Sequence, residues 1–146
     1  MLPPSDLPSA GLQRFLDAQA SVYEEVLIEL RQGKKQTHWI WFIFPQLTNL
    51  GGSDMARKYG IADLAEAREY LSHPVLGERL RECFRLVLNH PTLPAQAMLG
   101  SVDSIKLRSC ATLFLHASGQ EPLFQAVLNT FYGGAPDPLT SDVLSH

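Results

Sequence analysis

The sequence predicts a single all-α domain of about seven short helices, and three observations carry that expectation. Apolar residues recur at helical spacing over most of the chain. Glycines, prolines and short polar capping residues punctuate that pattern at intervals suited to helix ends. No stretch alternates apolar and polar residues with period two, no Asn-Gly pair marks a hairpin, and no internal repeat is present.

The elements follow in order. Leu12, Phe15, Leu16, Val22, Tyr23, Val26, Leu27 and Leu30 form one apolar face, which predicts a single helix from Leu12 to Leu30 stopped by Gly33. His38 to Leu47 is apolar nearly all round; a buried strand and a short buried helix both fit, and helix is favoured by the helical context. Gly51-Gly52-Ser53 breaks the chain, and Ser53 or Asp54 is placed to cap a helix through Lys58 that ends at Gly60. Asp63, with Glu66 three residues on, predicts a capping box for a helix to Ser72. Pro74 is expected to open a helix reaching Asn89, and Pro91 to end it. A short turn from Pro94 to Gly100 precedes a helix capped by Ser101 and running to His116. Glu121-Pro122 starts another, terminated by Gly133-Gly134, and a last turn begins at Asp137-Pro138.

Residues 1–10 read as a flexible lead and residues 11–146 as the domain. The lead lacks a basic start followed by an apolar stretch, so it is not expected to be a secretory signal. A chain of 146 residues, 45% hydrophobic, can bury about 68–70% of its unfolded surface without a disulfide or structural metal. Twelve Lys and Arg against fifteen Asp and Glu leave a net charge of −3, without the basic footprint of a nucleic-acid binder. Ile40 to Phe44, the most apolar window, is too short to span a bilayer. Cys83 and Cys110 have no metal-type spacing and read as buried thiols in a reducing cytoplasm. No cofactor or metal is expected, and monomer is the default state. No HxxxH pair, GxSxG serine or GxxxxGK[ST] loop is present, so the common hydrolase, zinc-enzyme and nucleotide-triphosphatase signatures are missing.

Placed on a helical wheel, several polar residues fall inside apolar arcs. Gln19 lies between Val26 and Leu30, and Arg79 between Leu86 and Cys83. Asp103 and Lys106 lie among Cys110, Leu113 and Phe114, while Ser104 and Arg108 point elsewhere. His38 and Gln46 stand at the two ends of the aromatic run. Unpaired burial of a neutral polar group costs about 1–3 kcal/mol and that of a charge more, so these groups need partners, water or a ligand. One reading is an internal network, with Arg79 or Lys106 paired to Asp103 and Gln19 bonded to a loop backbone. The other is a pocket with apolar walls and a few placed polar groups. Gln19, His38, Trp39, Trp41, Gln46, Arg79, Asp103, Lys106 and Ser109 are its candidate lining, for a small anionic ligand held by Arg79 and Lys106. His38 is the member suited to acid–base work, and Trp39 or Trp41 could stack on a planar ligand. Ser53 joins the candidates because the Gly-Gly-Ser turn could cradle an anion, assisted by Arg57 or Lys58, although a plain helix cap also explains it. A different class of function, a protein-interaction or regulatory adaptor without chemistry, is the alternative and predicts an exposed apolar patch.

The run His38-Trp39-x-Trp41-Phe42-Ile43-Phe44-Pro45-Gln46-Leu47 resembles the motif of an uncharacterised bacterial domain-of-unknown-function family, number 1810, whose members are sometimes labelled calpastatin. The resemblance continues through Tyr59-Gly60-Ile61, Tyr70-Leu71-x-His73-Pro74-x-Leu76-Gly77-x-Arg79-Leu80, Asp103-x-x-Lys106-Leu107-x-Ser109 and Thr112-Leu113-Phe114. It spans residues 12–144, with Ile40 standing where the motif has Met, a swap a core tolerates. The family implies a compact helical domain and no activity. Calpastatin is an extended, disordered inhibitor, which the periodic core pattern here does not match.

Overall fold

A computed structural model describes residues 10–145. The lead expected over residues 1–10 lies outside them except for Ala10, the first residue of α1. The described residues form ten helices: α1 (Ala10–Ala20), α2 (Tyr23–Gln32), α3 (Ile40–Ile43), α4 (Asp54–Lys58), α5 (Leu64–Ser72), α6 (Leu76–Leu88), α7 (Ala95–Leu99), α8 (Ser101–Ala117), α9 (Pro122–Tyr132) and α10 (Pro138–Ser145). A 3-10 turn at Thr48–Leu50 follows α3, and Leu47 and Ile61 meet in one parallel bridge that closes the loop around α4.

The expected helix Leu12–Leu30 divides in two because its halves pack on different partners. α1 lies against α3, whereas α2 lies against α6. Gly33 ends α2 in the left-handed conformation with φ of 71°, as its position suggested. The helix expected across His38–Leu47 lasts four residues, and Phe44 leaves it at φ of −120°. Phe44 precedes Pro45, whose ring disfavours helical backbone at the preceding residue. Ser53 caps α4 by accepting from the Ala56 N–H at 3.1 Å. Asp63 caps α5, while Glu66 accepts from the N–H of Ala62, one residue earlier than a capping box requires. α6 begins at Leu76 rather than Pro74, and His73 supplies its cap, Nδ1 accepting from the N–H groups of Val75 and Leu76. Ser101 does not cap α8. It is the first helical residue, behind Gly100 at φ of 94°, ψ of 160°, a conformation that glycine alone adopts readily. Two expected turns, at α7 and α10, are short helices, which with the divided first helix raises the number above seven.

α8 runs through the centre, contacting α5, α7, α9 and α10. Ser109 to Leu115 is buried at every position, so no wet face survives there. Around it a chain of ring contacts links Phe15 to Tyr70, Phe114, Phe124, Phe84, Phe44 and Trp39, with neighbouring centroids 5.0–6.0 Å apart. This aromatic spine joins α1, α5, α8, α9 and α6 to the α3 segment.

Candidate functional site

The polar residues that the wheel put on apolar arcs separate into two places. Gln19, on α1, is 1% exposed. Its amide nitrogen donates to the Phe42 carbonyl at 2.7 Å and to the Tyr70 hydroxyl at 3.1 Å, and its oxygen accepts from the Arg79 guanidinium at 3.2 Å. Arg79 also lies over the Tyr23 ring, 4.6 Å from its centroid. Gln19 thus has partners for both ends of its amide, and the backbone carbonyl it meets belongs to helix α3 rather than to the loop expected for it. Arg79 pairs with Gln19 and not with Asp103.

The second place joins the loop after α2, the α3 segment and the first turns of α8. Lys35 Nζ meets Asp103 Oδ2 at 2.9 Å, and Lys106 Nζ stands 3.9 Å from Asp103 Oδ1. The reach of Lys106 to Asp103 along the helix is as expected, but Lys35 is the tighter partner. Each ammonium also faces an indole: Lys35 lies 5.1 Å from the Trp39 ring centroid and Lys106 5.1 Å from that of Trp41. The order in space is Trp39, Lys35, Asp103, Lys106, Trp41, with two cations sharing one carboxylate. Lys35 is held in place because its backbone N–H donates to the Met98 carbonyl of α7 at 2.8 Å.

Trp39 is fixed from behind. Its Nε1 donates to Glu29 Oε1 at 2.9 Å, and Glu29 also accepts from the N–H groups of Gln36 and Thr37 and from the Thr37 hydroxyl. Burial alone would raise the Glu29 carboxyl; these four hydrogen bonds overcome it and hold the group down at about 2. Trp41 is in the opposite situation. Its Nε1 is buried and has no hydrogen-bond partner among the described residues. Trp41 also lines a narrow, partly open crevice, together with Phe44, Gln46, Ala56, Tyr59, Gly60 and Lys106, with about 10 Å³ of free space, room for roughly one water. Gly60 has to be glycine for this wall to form, because a Cβ would sit 2.4 Å from Thr48 Cα and 2.8 Å from the Ala56 carbonyl oxygen.

Of the expected lining, Trp41, Gln46 and Lys106 meet in the crevice, with Trp39 and Asp103 adjoining it through the lysines. Gln19 and Arg79 do not line it. His38 is exposed, Ser53 is exposed and serves the α4 cap, and Ser109 is 3% exposed with its hydroxyl donating to the Ile105 carbonyl. Ser104, expected to point away from the core, is buried and donates to the Ser101 carbonyl. Three contributors escaped the sequence reading. Glu29 sits beside Val22 at the edge of the apolar arc, a signal that could have found it; Lys35 and Tyr59 lie outside helices, where periodicity is silent. Among the described residues no cluster of three or more His, Cys, Asp or Glu side chains is placed to hold a metal, and no helix is long and apolar enough to cross a membrane.

Comparison with known proteins adds a family and a solved structure. The family model described as a protein of unknown function, DUF1810, matches residues 9–144. The crystal structure of the conserved hypothetical protein Rv1873 from Mycobacterium tuberculosis is similar at 45% sequence identity and a TM-score of 0.91, over 92% of this chain and 96% of that one. No curated protein matches the sequence.

Proposed function

Because the chain belongs to the DUF1810 family, whose description assigns no activity, we propose its function from the crevice itself: it binds a small anionic ligand between Trp41, Gln46 and Lys106. The observation that carries this reading is that Trp41, whose buried Nε1–H has no partner among the described residues, lines the same crevice as the Lys106 ammonium. An unsatisfied buried donor costs about 1–3 kcal/mol, so an acceptor atom is expected to sit against it. Lys106 favours a charged acceptor, because at 3.9 Å from Asp103 its N–H groups are outside hydrogen-bond range of that carboxylate. The reading assigns binding and no chemical step, since His38, the candidate acid or base, is exposed and outside the crevice. It places the protein as a cofactor-free monomer in the cytoplasm, where two free buried thiols suit a reducing environment.

The test is a titration followed by the indole N–H resonances of the nitrogen-15-labelled protein. Two tryptophans give two signals, and Trp39, bonded to Glu29, is an internal control. A panel of small anions is expected to shift the Trp41 signal saturably in the wild type and not in Lys106→Met. Silence of that signal across the panel would sink the proposal.

One observation favours the adaptor reading instead. Val102 and Ile105 stand three apart on α8, 63% and 62% exposed, beside the same Asp103 and Lys106. Retention of a protein partner on the wild type and on Lys106→Met, with loss in Val102→Ser/Ile105→Ser, would support that reading.

A further inference from the structure

We infer that the group the crevice accepts is a carboxylate, inserted by one oxygen, and not a phosphate. The inference rests on the anion-binding reading above and narrows its ligand class. Its first support is size. The crevice is narrow and partly open, with about 10 Å³ of free space, so it takes one small atom of a ligand and leaves the rest outside. A ligand that satisfies the Trp41 N–H does so with one oxygen and has a second to offer to the amide of Gln46 and the ammonium of Lys106.

The second support is the donor set. Trp41, Gln46, Tyr59 and Lys106 bring one indole N–H, one amide, one phenol and one ammonium to the crevice, and the Trp41 nitrogen has no hydrogen bond among the described residues. A carboxylate has two oxygens to place on these donors. A phosphate has at least three oxygens to place on the same few donors, beside walls otherwise made by Phe44, Ala56 and the rings of Trp41 and Tyr59.

The third support is charge. Lys35 and Lys106 share Asp103, which leaves one positive charge over. A monoanion neutralises it. A phosphate dianion would leave a negative charge beside Asp103, whose side chain is only 18% exposed. Lys58, over the Tyr59 ring, adds a further cation, but it stands in water, where its charge is screened.

The experiment uses the full chain, labelled with nitrogen-15, at near-neutral pH and constant ionic strength. The probes are sodium acetate, its uncharged isostere acetamide, and sodium phosphate. Acetate is expected to move the Trp41 indole signal saturably, about tenfold tighter than phosphate, while acetamide leaves it in place. Lys106→Met is expected to weaken acetate by about tenfold or more, and Gln46→Ala to weaken it by less, with the Trp39 signal unmoved as proof that the fold is kept. N-acetylglycine, which carries a peptide's terminal carboxylate, separates the sources. Affinity well above that of acetate assigns the crevice to a chain end, and equal or lower affinity assigns it to free organic acids; both support the carboxylate. Phosphate binding as tightly as acetate would overturn the inference and leave the anion reading standing. Acetamide binding like acetate, or no response to any probe, would overturn both.

Discussion

Glu29 shows how much one side chain can hold without an ion pair. It is 1% exposed and accepts four hydrogen bonds, two from loop N–H groups, one from Thr37 and one from Trp39. Those bonds exist for the carboxylate and not for the acid, so the group, normally at 4.5, is lowered to about 2 in the folded protein. A folded-state value below the unfolded one contributes stability that is complete above about 4.5 and is lost as the pH falls toward about 2. The difference corresponds to about 3 kcal/mol. Glu29→Gln is therefore expected to be less stable than the wild type by about 3 kcal/mol near neutral pH, with the gap closing as the pH is lowered through that window. Urea unfolding at stepped pH measures it, and a gap that stays constant with pH contradicts the assignment. The same residue bears on the crevice, because Glu29 sets Trp39, Trp39 faces Lys35, and Lys35 holds Asp103.

Among elements, the approach of α5 to α6 depends on a residue with no side chain. A Cβ on Gly77, in the first turn of α6, would stand 2.0 Å from the Leu71 carbonyl oxygen of α5. Backbone cannot yield as a flexible side chain does, so Gly77→Ala is expected to cost about 3 kcal/mol by forcing the two helices apart. Gly52, ahead of the α4 cap, has nothing within 4 Å of a built Cβ, and Gly52→Ala is expected to change stability by no more than about 0.5 kcal/mol. Thermal or urea unfolding of the two variants checks the contrast, and equal losses would contradict it. His73 works at the same junction, since it ends α5 and its ring nitrogen caps α6.

For the whole molecule, the central position of α8 means that its interior opens only when the domain does. Cys110 on α8 and Cys83 on α6 are both buried. Burial pushes the Cys83 thiol up to about 12 and the Cys110 thiol well above its ordinary value, because neither site solvates a thiolate. In the folded protein both thiols are expected to react with a disulfide reagent roughly a thousandfold or more slowly than free cysteine, at a rate following global unfolding. Labelling in urea, which should rise in step with the unfolded fraction for both cysteines, tests this. Rapid labelling of either thiol in the native protein would show a local opening that the packing around α8 does not predict.

The helices were legible wherever local chemistry decides, as at Gly33, Ser53, Asp63, Pro122 and Gly133, where a cap, a proline or a left-handed glycine acts on its own segment. Gln19, Asp103 and Lys106 were visible as polar residues at core-facing positions, because periodicity reports which face a side chain occupies, and Trp41 and Gln46 stood out within and at the end of the aromatic run. Periodicity says nothing about which faces meet. The division of the first helix, the pairing of Arg79 with Gln19, and the entry of Lys35 as the closer partner of Asp103 all arise from contacts between segments distant in sequence. Likewise the contrast between two tryptophans in one motif, Trp39 anchored on Glu29 and Trp41 with its N–H unpartnered, depends on where α2 and the loop around α4 arrive. Local sequence sets the conformation of a segment through its own backbone and caps, whereas a pocket is the space left between segments, and only their packing decides its shape, charge and donors.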